Sequence, residues 1–146
     1  YCIASGVDGL ILPDLPLEEA KPFCELAKSK GVSPILLVAP NTPNKRIQKI
    51  SELAGDLIYA VSILGITGND LAAKDALQEY LNRVRKNSVT PFVVGFGIST
   101  RHDVVWFNQH SDGTVVGSAI IKNMNGSSNP VETTKSLIQG LKGIIS

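Results

Sequence analysis

Charge is scarce in this chain. Asp, Glu, Lys and Arg make up only 18% of its 146 residues, and the two signs nearly cancel to a formal +1. So balanced a charge gives no footing for binding nucleic acid or an anionic membrane surface. A disordered tail is excluded from the other side, because 43% of the residues are hydrophobic, enough for the core of one domain. No apolar run approaches the roughly 18 residues that a membrane span needs. The opening Tyr1-Cys2-Ile3-Ala4-Ser5-Gly6 lacks the basic start and long apolar stretch of a secretory signal. It reads instead as the last turn of a helix that begins upstream. Only two cysteines occur, Cys2 and Cys24, both in helix-like stretches. They read as free thiols in a reducing interior, not as a disulfide framework. His102 and His110 have no second ligand at metal spacing. The basic residues Lys45-Arg46 and those over 83–86, Arg83 through Lys86, read as solvated helix faces.

What the chain does have is a repeat. Five short runs, over residues 9–13, 34–39, 57–62, 92–95 and 114–116, are aliphatic or β-branched with no polar alternation. Runs of that kind suit strands of a parallel sheet covered on both sides. Helical patterns lie between them. Residues 18–30 place Ala20, Phe23, Cys24 and Ala27 on one stripe, with Gly31 to end it. Thr42-Pro43 reads as a cap and first helical position, with Ile47, Ile50 and Ala54 facing inward and Gly55 as the stop. Residues 69–86 keep an i, i+3, i+4 pattern through Ala73, Ala76, Leu77, Tyr80, Leu81 and Val84. Ser99 can cap a helix running toward His110. Asn129-Pro130-Val131-Glu132 resembles a capped start, with Val131, Leu137, Ile138 and Leu141 as the inner face.

The order is therefore β-α, five times over, which implies an α/β protein with parallel strands. Two architectures fit. One is a five-stranded doubly wound, flavodoxin-like sheet. The other is part of a TIM (β/α)8 barrel, whose full form takes about 250 residues.

Both architectures bind ligands at the carboxyl ends of their strands. Glycine crowds those positions here: Gly65 and Gly68 after the third strand, Gly95-Phe96-Gly97 after the fourth, Gly117-Ser118 after the fifth. Glycine lets a ligand approach the backbone, and successive N–H groups beside a helix N-terminus make a seat for an anion. Gly117-Ser118 would open a short helix over residues 119–123, Gly95-Phe96-Gly97 would face it, and Gly68 would close the third side. The pattern predicts a phosphate cradle.

The same residues carry a resemblance. Gly6-Val7-Asp8-Gly9-Leu10-Ile11-Leu12-Pro13-Asp14-Leu15-Pro16-Leu17-Glu18-Glu19 comes first. Then follow Ile66-Thr67-Gly68, Gly95-Phe96-Gly97-Ile98-Ser99 and Val116-Gly117-Ser118-Ala119-Ile120-Ile121-Lys122. In that order and spacing the chain resembles the tryptophan synthase alpha chain family over essentially its whole length. The resemblance implies a partial TIM barrel, strands four to eight in parallel order, with residues 1–146 as the C-terminal part of a single (β/α)8 domain and strands one to three absent. It implies a lyase of tryptophan biosynthesis, which cleaves indole-3-glycerol phosphate to indole and glyceraldehyde 3-phosphate without metal or organic cofactor. The beta chain of an alpha2-beta2 tetramer would be its partner and the cytoplasm its location, or a plastid if the source is a plant.

Residue by residue, the resemblance implies that Tyr59 lines the substrate pocket and that Thr67 belongs to a loop closing over the substrate. It implies that Gly68, Gly95, Phe96, Gly97, Gly117 and Ser118 hold the phosphate and that Asp14 and Pro16 lie at the subunit contact. The family's acid/base glutamate and indole-binding aspartate come from segments with no counterpart among these residues, so the isolated chain is expected to be inactive. One departure stands out: Ile63-Leu64 follows Ser62 where family members often carry arginine or another polar residue. Other phosphate-binding barrels, such as an indole-glycerol-phosphate synthase or a sugar-phosphate isomerase, would want a lysine or histidine at a strand end. None of the five strand ends offers one. A non-catalytic flavodoxin-like phosphate binder is the alternative of another class.

Overall fold

A computed structural model describes residues 2–62 and 71–144. Five strands form one sheet in the order β1-β2-β3-β4-β5: β1 (Gly9–Ile11), β2 (Ser33–Val38), β3 (Ile58–Val61), β4 (Phe92–Gly95) and β5 (Gly113–Val115). Every neighbouring pair is parallel. Helices α1 (Leu17–Ser29), α2 (Asn44–Leu53), α3 (Leu71–Asn87) and α4 (Arg101–His110) make the crossovers. After β5 the chain forms a short α5 (Ser118–Asn125) and then α6 (Pro130–Lys142).

Sequence order and spatial order coincide. A flavodoxin-like sheet would place its first strand inside, in the order 2-1-3-4-5, with helices on both faces. Here every crossover leads to the next strand in space, and because such crossovers share one hand, all the helices fall on one side. The five strands curl into half of a (β/α)8 barrel, and the doubly wound alternative is set aside.

Alternation along the strands shows which side is filled. Pro34, Leu36 and Val38 of β2, Ile58 and Ala60 of β3, and Phe92 and Val94 of β4 are buried. They meet Ala20 and Cys24 of α1, Ile47 and Ile50 of α2, and Leu77, Tyr80, Leu81 and Val84 of α3 in one cluster. The register puts Leu37, Tyr59 and Val93 on the other face, with Ile11 beside Ile35 and Val115 beside Gly95. That face is apolar too, yet Ile11 and Val115 stay 49% and 39% exposed.

Polar ties lock the helices down. The Tyr80 hydroxyl donates to the Val38 carbonyl at 2.9 Å, and burial pushes its pKa well up. Arg83 donates to the Thr42 carbonyl at 3.2 Å and to the Pro40 carbonyl at 2.5 Å, fixing the loop after β2. At the opposite end, Arg85 reaches both oxygens of Asp112 at 2.7 and 2.8 Å and lies 4.6 Å over the Phe92 ring. Asp112 also accepts the Phe92 amide at 2.8 Å.

The helices differ from the sequence reading in four places, two at caps and two in which residues face inward. Pro43, not Thr42, is the N-cap of α2, because the Thr42 hydroxyl accepts the Ala39 amide at 2.9 Å and is used within the turn. Thr100, not Ser99, caps α4 in a reciprocal box with Asp103, three residues on. Ala76 is exposed at the margin of the α3 stripe. Val131, in the first turn of α6, is 78% exposed, and Leu141 is the buried anchor of that helix. The Asn129 cap holds, its side chain accepting the Glu132 amide at 3.3 Å.

Two outcomes follow from this architecture. The uncovered apolar face should make the 146-residue chain associate with increasing concentration in analytical ultracentrifugation, and Ile11→Lys with Val115→Lys should reduce that association. Acid should also weaken the fold. Burial pushes the Asp112 and Asp103 carboxyls up, but the Phe92 amide with Arg85, and the Thr100 and Ser99 amides, outweigh it and hold both below the ordinary 3.8. Their stabilising contribution is therefore complete above that value and is lost as pH falls below it through their lower folded-state values. Asp112→Asn should flatten part of that acid decline in a thermal-midpoint series.

Candidate functional site

The sheet brings the carboxyl ends of β3, β4 and β5 side by side. Val61 is level with Gly95, and Gly95 with Val115. Two residues past Val115, Gly117 becomes the N-cap of α5. Its backbone supplies no side-chain cap, and the first intrahelical bonds are those of Ile120 and Ile121 to the Gly117 carbonyl, at 3.0 and 3.2 Å. The Ser118 and Ala119 amides thus belong to the first turn, whose donors have no partner within the helix. The positive end of the helix dipole lies there as well. The helix spans Ser118–Asn125, longer at both ends than the sequence reading.

Beside it, the chain leaving β4 takes an uncommon path. Phe96 has φ 81° and Gly97 φ 75°. Among the described residues Phe96 is the one non-glycine with positive φ. For an L-residue that conformation costs about 1–2 kcal/mol, so neighbouring contacts must hold it. Two do. Its ring, half exposed, meets the Tyr59 ring edge-on at 5.9 Å. Its carbonyl accepts the Ser62 hydroxyl at 2.6 Å.

Gly95 has a packing reason of its own. A Cβ built there would sit 1.7 Å from the Tyr59 hydroxyl oxygen. The tyrosine ring occupies the space that a side chain at residue 95 would need. Tyr59 is part-buried on the open face of β3, and burial pushes its phenol pKa up.

The structure therefore brings Tyr59, Gly95 and Phe96 into contact and sets Gly97, Gly117 and Ser118 at neighbouring strand ends. Thr67 and Gly68, with Ile63 and Leu64, lie outside the described residues. Asp14 and Pro16 are exposed in the loop after β1, three strands away, and Pro16 caps α1. Sequence reading missed Ser62 as a site residue. It is 3% exposed, and its hydroxyl also reaches the Gly95 carbonyl at 2.7 Å. The available signal was a lone hydroxyl closing an aliphatic run. An open cavity of about 630 Å³ behind α5, lined by Lys122, Asn123, Ser127 and Thr133, contains none of the predicted site residues.

Chemically, this rim offers amide donors, the hydroxyls of Tyr59 and Ser118, and aromatic surface. It can seat an anion and cover an apolar ring. Among the described residues it gathers, no carboxylate or imidazole stands.

Comparisons with known proteins agree with the geometry. The family described as tryptophan synthase alpha chain matches residues 1–143. The tryptophan synthase alpha chain of Pelodictyon phaeoclathratiforme is 42% identical over 137 residues, covering 91% of this chain and 51% of that protein. That of Methanocaldococcus jannaschii is 46% identical over 121 residues, covering 83% and 43%. A structure of the alpha subunit from Pyrococcus furiosus superposes with a TM-score of 0.86 at 34% identity, covering 98% of this chain and 58% of that one. The chain spans about half the length of the curated relatives it matches.

The strain at Phe96 is testable by a pair of variants. Both Phe96→Asn and Phe96→Val lose the ring contact, but asparagine tolerates positive φ and a β-branched residue does not. Phe96→Val should be less stable than Phe96→Asn by about 1–2 kcal/mol in urea unfolding. Equal stabilities would show that the bend carries no backbone strain.

Proposed function

The chain belongs to the tryptophan synthase alpha chain family, and from that membership we propose that it is the C-terminal part of a single barrel domain and supplies the phosphate-binding half of its site. The substrate is indole-3-glycerol phosphate. Its phosphate sits at the first turn of α5, on the Ser118 amide and hydroxyl and the Gly117 backbone, faced by Gly97. Family membership assigns Thr67 and Gly68 to the same substrate. Tyr59 and Phe96 present apolar surface toward the rest of the ligand. The observation that carries this reading is the N-terminus of α5, without a side-chain cap, set one strand from a backbone bend held at positive φ.

The reaction is a retro-aldol cleavage. The carbon–carbon bond between indole and the glycerol phosphate breaks as a proton reaches the indole ring carbon and another leaves the substrate hydroxyl. These residues hold and orient the substrate, since a fixed phosphate restricts where the reacting carbons lie. The proton-transfer groups are those of the family's second and third strands, so the 146-residue chain by itself binds without turning over.

A beta chain is the proposed partner, in an alpha2-beta2 assembly. Solved structures similar to this chain include the tryptophan synthase a2b2 complex of Pyrococcus furiosus, with a TM-score of 0.83 at 35% identity. Exposed Asp14 and Pro16, in the loop after β1, are the proposed contact. Cys2 and Cys24 are both free, which supports a reducing compartment such as the cytoplasm. Among the described residues no helix is long and apolar enough to cross a membrane.

Titration calorimetry with glycerol 3-phosphate checks the phosphate seat. Ser118→Asp places a carboxylate where the phosphate binds and should weaken affinity by at least about tenfold. Ser118→Ala removes one hydroxyl donor and should cost about two- to tenfold. Undiminished binding by Ser118→Asp would remove α5 from the site.

A further inference from the structure

We propose that Ser62 is a positioning residue for the anion seat, acting through the peptide between Phe96 and Gly97. The inference rests on the phosphate reading above and names a residue that reading does not use.

The argument is geometric. Ser62 follows β3 and is buried. Its amide donates to the Gly95 carbonyl at 3.0 Å. Its hydroxyl lies 2.7 Å from the Gly95 carbonyl oxygen and 2.6 Å from that of Phe96. One hydroxyl proton is shared between two acceptors, so both carbonyls are drawn to the β3 side of the bend.

A trans peptide is planar, with its C=O and N–H pointing in opposite directions. The chain has no cis peptide among its described residues. The Phe96 carbonyl faces Ser62 on the β3 side, so the Gly97 N–H faces away from it. Away from β3 is the side of β5, where Gly117 and Ser118 open α5. Ser62 thus decides which way the Gly97 donor points while never touching the ligand. The same hydrogen bond holds Phe96 at φ 81°, a conformation that would relax if the carbonyl were released. A peptide free to rotate at this point would offer the anion a carbonyl oxygen for part of the time, and that repels it.

Inorganic phosphate is the probe, titrated into the ¹⁵N-labelled 146-residue chain. In the unaltered chain, the Gly97 and Ser118 amide resonances should shift together with one affinity. Ser62→Ala should weaken phosphate binding by about tenfold, the loss of one well-directed donor, and should abolish the Gly97 shift while Ser118 still responds. Ser62→Thr keeps a hydroxyl and should restore both. A purely structural serine would lower the thermal midpoint in Ser62→Ala yet leave the Gly97 shift and the affinity of the folded chain unmoved, and that result would overturn the proposal. Ser118→Asp separates the two readings. If it abolishes binding and Ser62→Ala does not, Ser62 alone loses its role. If the unaltered chain shows no phosphate shift at Ser118 or Gly97, the phosphate reading fails and this inference with it.

Discussion

The rest of this molecule depends on one constraint: parallel strands joined in sequence order by crossovers of a single hand. Each crossover must carry the chain from one end of the sheet back to the other, and the shared hand sends every helix to the same face. The helix-facing side chains, from Leu36 through Val94, then form one continuous core. The five carboxyl ends collect at one rim, where the loops have no core to build. The candidate binding groups gather there because that rim is where backbone is free to serve a ligand.

The same constraint leaves the opposite face apolar and uncovered. Leu37, Tyr59 and Val93 are level with one another on it. In a closed barrel this face is a packed interior. Read along the sequence, β2 and β4 are simply hydrophobic throughout, so periodicity registers two apolar faces but not which of them has a cover. Only the order of the strands, which depends on pairing between distant segments, separates a half-barrel from a doubly wound sheet.

Much of the fold was legible because it is local. Gly31 has φ 72°, as a helix stop asks, and Asn129 caps α6 as its Pro130 and Glu132 suggest. The errors were local competitions that sequence spacing does not resolve. Thr42 and Ser99 are both sound caps by residue type. Thr42 was drawn into its own turn by the Ala39 amide, and Ser99 yielded to a Thr100–Asp103 pair with better reciprocity. At the site, Gly117-Ser118 and Gly95-Phe96-Gly97 were found as motifs, and the strand ends they occupy are adjacent. Ser62 was not found, since its importance lies in a contact with Phe96, which is 34 residues away.

Gly95 shows how a residue singled out for one physical reason can carry another. From sequence, its lack of a side chain suggests room for a ligand beside the backbone. In the structure that room is occupied by the Tyr59 hydroxyl. The exchange has consequences for the bend beyond it. Tyr59 can lie against residue 95 only because no Cβ stands there, and from that position its ring meets the edge of Phe96. Ser62, the residue just past the same strand, grips the Phe96 carbonyl. One side of Phe96 is thus held through its ring and the other through its peptide, both from the β3 side. A residue gripped at both points can be kept at positive φ, where a free phenylalanine would not stay. The strained bend is therefore not a property of the Gly-Phe-Gly motif alone. It is imposed from the β3 side, and the absence of a side chain at Gly95 is what lets the Tyr59 ring come close enough to help impose it.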